Sequence, residues 1–285
     1  MTQSTIDQAF IMQFGADVKI AYQRTGSKVR GTVRQRAFGP GDKYRFQRYG
    51  KRGMPTTKAR HAEIVPQHAQ HDYIDVQPLD YYDGEYIDEM DLLRTNIDER
   101  ALCSQAQGYA HGRKTDDILF QQMGAAAVAK GTPGGGLQKY ASSVAQTLNV
   151  ALVLAVMENF NTDDVPDDGR RFWQTSPDMW TKLMGLDQFT RMEYIPQSEL
   201  PFQGGMVAKR WLGFAWMPHS GLPKDGSNKT RSFVYHSSAV GHAILSELKT
   251  DITWQGTRQA WFLATKMSMA AVTIDNIGGY EVVIN

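Results

Sequence analysis

Residues 96 to 128 read NIDERALCSQAQGYAHGRKTDDILFQQMGAAAV and contain no proline. Asn96 or Asp98 can cap the start of a helix, with Asp98 and Glu99 in the first turn, where the helix dipole favours negative charge. Leu102, Ala106, Tyr109 and Ala110 follow helical spacing, and Gly112, Leu119, Met123 and Ala126 continue the stripe. About 30 residues at 1.5 Å each predict a rod on the order of 45 Å, long for a globular helix. Gly108 and Gly112 cost helix propensity, yet they sit one turn apart and would let another backbone approach closely. One reading is an ordinary core helix with two weak points. The other is a spine across which a sheet and partner subunits lie, with Gly108, Gly112, Leu119 and Met123 as its packing positions.

The flanks differ sharply in charge. Residues 1 to 70 carry thirteen Lys/Arg and four Asp/Glu, a balance of +9, whereas residues 72 to 99 carry one Arg and ten Asp/Glu, a balance of −9. Such asymmetry predicts that each region meets something of opposite sign, within a subunit or between subunits. Residues 26 to 63 are broken by glycine and proline and cannot form a long helix. Between the breaks, KYRFQRY at 43 to 49 alternates basic with aromatic residues, as strands do. With too few aliphatics for its own core, this region predicts a two-stranded arm that needs a surface to lie on. A solvated loop, or a strip that stacks on single-stranded nucleic acid, are the other readings. Residues 72 to 93, DYIDVQPLDYYDGEYIDEMDLL, predict a half-buried strand interrupted at Pro78 and Gly84.

Upstream, Ile6, Phe10, Phe14 and Ile20 mark an amphipathic terminal segment. Downstream, KGTPGGG at 130 to 136 is a flexible break after an alanine-rich stretch expected to be helical. No Gly-Lys-Ser/Thr closes it into a phosphate loop. A helix is expected from about Ser143, with Val144, Leu148, Ala151, Leu152 and Ala155 on its apolar face. Val165 to Gly169 is a turn and RFWQT at 171 to 175 a strand. Ser176 then caps a helix with Pro177 at its first position. GMVAKRWLGFAWMP at 205 to 218 reads as apolar strand. Further strands are expected at 231 to 236, 251 to 254, 258 to 274 and 280 to 284.

At 285 residues, with 41% hydrophobic and 21% charged residues, the chain has the composition of a globular protein of one or two domains. A formal net charge of +1 gives no general affinity for nucleic acid. The single cysteine, Cys103, excludes an intramolecular disulfide and a thiolate zinc cluster. No apolar run approaches the roughly 18 residues of a membrane span. The N-terminus lacks a basic-then-apolar leader, which predicts a reducing cytoplasm as the place of synthesis. His61, His68 and His71 lie close in sequence but in basic surroundings that oppose a cation. His236 and His242 flank a strand. No nucleophile elbow is present, and Cys103 sits mid-helix without a nearby catalytic histidine in sequence. Neither an active site nor a cofactor or metal site is expected, and the chain reads as an assembly component rather than an enzyme.

Several short groups carry a resemblance in their order: Phe14 and Gly15; Gln23 with Lys28-Val29-Arg30-Gly31; Thr57, Arg60 and His61; Asp91, Arg94 and Asp98; Ala110, Gly112, Arg113, Asp116 and Asp117; Gly205, Trp211 and Gly213; and Tyr235, His236, Ala239 and Gly241. In this order the chain resembles the major capsid proteins of tailed bacteriophages, with the Hong Kong 97 type fold, over nearly its whole length. The resemblance implies an α+β fold with an N-terminal arm (1–36) and an extended β-hairpin loop (37–71). It also implies a peripheral domain carrying the spine helix (72–130 and 246–285) and an axial domain (131–245). It implies a virion protein that self-assembles as a homo-oligomer of hexamers and pentamers into an icosahedral capsid around double-stranded DNA, with host cytoplasm as the place of assembly. The implied partners are other copies of itself, a separate scaffolding protein, a portal, a decoration protein and the packaged DNA, with no membrane. Nothing marks the lysine–asparagine cross-link of some relatives.

The charge asymmetry adds an expected subunit interface. Arg45, Arg48, Lys51, Arg52 and Arg60 of the arm would face Asp75, Asp83, Glu85 and Asp88 of a neighbour. An encapsulin-like cellular shell and a nucleic-acid-binding module built on the basic arm are the alternative readings.

Overall fold

The computed structural model describes residues 23–90, 99–190 and 209–285. The N-terminal amphipathic segment, the caps at Asn96 and Asp98, and Asp91, Arg94 and Gly205 lie outside the described residues. The order of elements begins β1 (Arg34–Ala37), β2 (Tyr44–Tyr49), β3 (His71–Val76), β4 (Leu79–Asp88), α1 (Glu99–Met123) and β5 (Gln138–Lys139). It continues with α2 (Val150–Thr162), β6 (Arg171–Thr175), α3 (Pro177–Met184), α4 (Asp187–Thr190), β7 (Lys209–Trp211) and β8 (Phe214–Pro218). It closes with β9 (Thr230–His236), β10 (Val240–Gln255), β11 (Ala260–Thr273) and β12 (Gly279–Ile284). The chain divides into two compact units, one of 1–26, 80–113 and 246–267, the other of 27–79, 114–245 and 268–285. Helix α1 and strands β10 and β11 contribute residues to both.

Helix α1 has 25 residues and is about 37 Å long. The expected continuation to Val128 is absent. The Gly124 N–H closes the last helical bond on the Phe120 carbonyl at 2.9 Å. The Gly124 carbonyl then accepts from Arg231 Nη2 at 2.6 Å, and a Cβ at Gly124 would lie only 2.5 Å from that nitrogen. A cation on a terminal carbonyl satisfies an orphan acceptor and suits the helix dipole. Two bonds to Glu281, at 2.6 and 2.9 Å, hold the guanidinium there. The chain reverses at once, with Gly136 N–H on Ala126 O at 2.9 Å and Leu137 N–H on Met123 O at 2.8 Å. The alanine-rich stretch is therefore irregular rather than helical, because tertiary bonds take the groups that a longer helix would use.

In the smaller unit, α1 lies on β11. Gln107 Nε2 donates to the Leu263 carbonyl at 3.4 Å, and His111 Nε2 bonds Thr265 Oγ1 at 2.9 Å. Gly84 does not interrupt β4. Its missing side chain makes room for the Phe262 ring, which a Cβ would meet at 2.7 Å, and Tyr86 packs beside the same ring at 4.7 Å.

The larger unit is built on a six-stranded sheet of order β5-β12-β9-β6-β8-β7. Its core is a cluster that includes Val153, Phe160, Trp173, Leu183, Phe214, Trp216 and Val282. Trp173 stacks on Trp216 at 4.4 Å. β12, expected with the peripheral domain, pairs antiparallel with β9 from Gly279↔Tyr235 to Ile284↔Thr230 and parallel with β5, and so lies inside this sheet. Helix α2 starts at Val150, later than expected, where Asn149 Oδ1 accepts from the Leu152 N–H at 2.8 Å. Val144 stays exposed because the residues ahead of the cap run along β12, with the Gln146 N–H on Val283 O at 2.8 Å. α3 begins as expected, with Ser176 Oγ accepting from the Met179 N–H at 3.2 Å. The apolar run before Pro218 is a hairpin rather than one strand. Leu212 (φ 49°) and Gly213 (φ 76°) supply the positive φ that a tight two-residue turn demands.

Strands β2 and β3 form an antiparallel pair, Tyr44↔Val76 to Tyr49↔His71. This pair has the surface that its composition requires. Phe46 is 1% exposed and packs with Ala243, Ala270, Val272 and Ile274, with Phe38, Ile74 and Val76 alongside. Burying that ring stabilises the root of the hairpin by roughly 1.5–3 kcal/mol.

Candidate assembly surface

The antiparallel register places Arg45 directly opposite Asp75. Its Nε and Nη2 donate to the two carboxylate oxygens at 2.7 and 2.9 Å, and its guanidinium lies 3.8 Å from the centre of the Tyr73 ring. The hydrogen bond to Arg45 holds the Asp75 carboxyl below its ordinary range. Arg45 and Asp75, expected to face charges across a subunit boundary, therefore face each other within one chain. Residues 72 to 76 belong to the basic arm as its second strand, which is why the acidic and basic regions meet here.

Arg48 and Lys51 are likewise satisfied within the larger unit. Arg48 donates to the Gly131 carbonyl and pairs with Asp275 at 3.1 Å, and Lys51 Nζ pairs with Asp164 at 2.7 Å. These carboxylates lie outside the acidic segment. Sequence reasoning missed them because isolated aspartates in turns give no signal of what they face. Beyond the root, Gly50 N–H extends the ladder to Gln70 O at 2.8 Å, and the chain from 51 to 70 has no regular strand. Arg52, Lys58 and Arg60 are exposed there. Three large apolar side chains are exposed with them, Met54 at 87%, Ile64 at 77% and Val65 at 73%.

The acidic strand β4 is exposed at Asp80, Asp83, Glu85 and Asp88, but period-two alternation divides these residues between two faces. Asp83 and Glu85 share a face with buried Ile87. There Glu85 Oε2 accepts from the Cys103 thiol at 2.8 Å. Burial, then Glu85 and Asp83, push that thiol up to about 12. Asp80 and Asp88 lie on the other face with Tyr82 and Tyr86. The four carboxylates do not form one acidic surface.

On α1, Leu119 and Met123 are fully buried. Gly108 makes only ordinary contact, since a Cβ would stand 3.9 Å from a Leu248 methyl. Gly112 is different. A Cβ there would sit 2.6 Å from both Cα and the carbonyl carbon of Gly26, so the chain at 26 crosses directly against the helix.

Around that crossing the structure reveals a site that the charge reading missed. Asp116 is fully buried. Its Oδ1 accepts from the Ser27 hydroxyl and, at 3.1 Å, from the Val29 N–H. Its Oδ2 accepts from His219 Nε2 at 2.9 Å and from the Lys28 N–H at 3.2 Å. The Gly221 N–H donates to His219 Nδ1 at 3.1 Å, which places the ring proton on Nε2. Burial pushes the Asp116 carboxyl up. The bonds from His219, Ser27, Val29 and Lys28 outweigh it and hold the group below the usual carboxylate range. Three residues earlier, Arg113 Nη1 donates to Gln23 Oε1 at 2.6 Å. The available signal was a carboxylate on the buried stripe, one turn before Leu119.

The comparisons with known proteins point one way. A family model described as phage capsid protein matches residues 6–283. Among curated proteins, none matches this sequence. Of solved structures, the capsid of the cyanophage P-SCSP1u is similar with a TM-score of 0.79 at 17% identity, covering 100% of this chain and 95% of that one. The mature capsid of bacteriophage PhiM1 gives 0.72 at 13% identity, covering 96% and 92%. The mycobacterium phage Che8 structure gives 0.68 at 12%, covering 96% and 97%. The spine helix and the extended hairpin are thus those of the Hong Kong 97 type capsid fold, and the chain belongs to the phage capsid protein family.

Proposed function

We propose that copies of this chain assemble as hexamers and pentamers into the closed icosahedral head of a tailed bacteriophage, enclosing double-stranded DNA. The observation that carries this reading is the family match over residues 6–283. A structural rather than catalytic role follows from it. The exposed loop 51–70 supports a role in assembly. An exposed stretch bearing Met54, Ile64 and Val65 beside Arg52 and Arg60 is what a surface waiting for a partner presents. We assign that loop, and the exposed carboxylates Asp83, Glu85 and Asp88, to contacts between neighbouring copies. The smaller unit is the counterpart of the peripheral domain, and the body of the larger unit that of the axial domain. A separate scaffolding protein, a portal and a decoration protein complete the proposed partners, with assembly in the host cytoplasm and the virion as destination. Negative-stain microscopy of the purified protein, alone and with its scaffold, tests the proposal. Closed shells or capsomer rings are expected, and protein that stays monomeric in every assembly condition would refute it.

A further inference from the structure

Outside the hairpin, the larger unit holds an open cavity of about 580 Å³. It is lined by Arg34 and Arg170, by Ser237 and Ser238, and by Phe172 at one side, with Gly31 at its rim. None of the described residues lining it is acidic. Each element brings its donor there for a local reason. Arg34 opens the edge strand β1, which pairs parallel with β10 from Arg34↔Gly241 to Ala37↔Ile244. Arg170 immediately precedes β6, and its carbonyl accepts from the Ser237 N–H at 3.0 Å, which brings the serine pair beside the guanidinium. Ser238 Oγ is held by His236 Nδ1 at 2.7 Å. The neighbouring carboxylate, Asp168, accepts from His236 Nε2 at 3.0 Å and stands 4.0 Å from Arg170 Nε. The Arg170 side chain remains 70% exposed. At Gly31 a Cβ would meet nothing within 4 Å, so the rim is open.

Two guanidinium groups and the Ser237 hydroxyl around one open space match a tetrahedral oxyanion, whose oxygens take planar arginine forks bidentately, while the Ser238 hydroxyl gives its proton to His236 Nδ1. The cationic line also continues beyond the cavity. Arg36 lies on the same face of β1 as Arg34, about 6.6 Å along the strand, and half-buried Arg30, whose Nε donates to Gln35 Oε1 at 3.2 Å, precedes them. A row of fixed cations suits a repeating polyanion better than a single ion. We propose that the cavity between Arg34 and Arg170 is a phosphodiester site, which takes one backbone phosphate of the enclosed nucleic acid while Arg36 takes an adjacent one. The site rests on the capsid reading, so its test must separate binding from assembly.

The test uses unassembled purified protein and a fluorescent duplex of arbitrary sequence, titrated at several salt concentrations, with shell formation scored separately by microscopy. Each phosphate contact contributes about 0.9 to the slope of log affinity against log salt. The double variant Arg34→Gln with Arg170→Gln is expected to bind roughly tenfold more weakly with a slope shallower by about 0.9, one phosphate contact, while forming shells normally. The double lysine variant, which keeps the point charges, should retain most of the slope. An unchanged affinity and slope in the glutamine variant would overturn the proposal. Shells lost while duplex binding stays intact would overturn it in favour of a neighbouring copy's carboxylate as the occupant. Inorganic phosphate that protects Arg34 from guanidine-directed labelling, without weakening the duplex, would overturn the nucleic-acid source and leave a free-phosphate site.

Discussion

Asp116→Asn is the substitution that tests most of this structure at once. It changes one buried atom and leaves the side chain's shape intact. In the native protein one carboxylate oxygen takes Ser27 and the Val29 N–H, and the other takes His219 and the Lys28 N–H. The Ser27 hydroxyl can also accept, but the Val29 N–H, the Lys28 N–H and the His219 ring cannot, since the Gly221 N–H on His219 Nδ1 stops the ring from turning Nε2 into an acceptor. Whichever way the asparagine amide points, its NH₂ confronts at least one such donor, the Val29 N–H on one side or His219 and the Lys28 N–H on the other. The bond to that donor is lost, and the amide N–H and the donor facing it are left unpaired at a buried site. At about 1–3 kcal/mol for each such group the expected loss is about 2–6 kcal/mol, a large part of a typical 5–15 kcal/mol. The pH dependence gives a second reading. The folded carboxyl lies below its ordinary value, so its contribution is complete above the unfolded pKa of about 3.9 and is lost as pH falls through the folded pKa. Urea unfolding of the unassembled subunit from neutral pH down to about pH 3 is the assay. The variant should show a lower midpoint at unchanged m-value, and its acid limb should be flatter than the native one. Equal midpoints with parallel acid limbs would refute the argument that this carboxylate ties the segment 27–29 to the helix.

Gly112→Ala should already destabilise the subunit, and Gly112→Leu should abolish soluble protein, because the Gly26 backbone occupies the Cβ position at 2.6 Å and overpacking costs on the order of 1–3 kcal/mol even where side chains can yield. Normal yield and thermal stability of the leucine variant would count against the crossing. Charge reversal of the loop is best confined to Arg52→Glu with Arg60→Glu. Arg45→Glu would set two carboxylates opposite each other in the hairpin and unsettle it before any subunit contact was tested. The double variant should fail to form shells, with partial recovery when Asp83, Glu85 and Asp88 become lysine; shells that form normally but lose DNA would assign the loop to nucleic acid instead. Cys103, pushed up to about 12, should react with iodoacetamide at pH 8 roughly three orders of magnitude more slowly than an ordinary thiol near 8.5. Glu85→Gln should speed the reaction, and fast labelling of the native protein would refute the contact.

The sequence alone determined the elements whose signals are local. The proline-free stripe after Glu99 dictated α1, because Leu119 and Met123 recur at helical spacing whatever packs on them. Ser176 followed by Pro177 fixed the start of α3 to the residue, since the cap and the missing N–H act within a single turn. Alternation of basic and aromatic residues from Tyr44 to Tyr49 marked a strand, and the shortage of aliphatics marked its dependence on another surface. Tertiary structure decided where local signals compete with distant partners. Alanines 125 to 127 favour helix, yet Arg231 caps the Gly124 carbonyl and Leu137 takes the Met123 carbonyl, so α1 ends first. The charge runs at 1–70 and 72–99 predicted attraction but not pairing. The hairpin register chose Arg45 with Asp75, and the root of the arm chose Asp164 and Asp275 for Lys51 and Arg48. Asp116 carried the faintest signal, one acid on an apolar stripe. Its four donors come from segments 88 and 103 residues away, and a hydrogen bond across that separation has no periodicity by which a sequence can announce it.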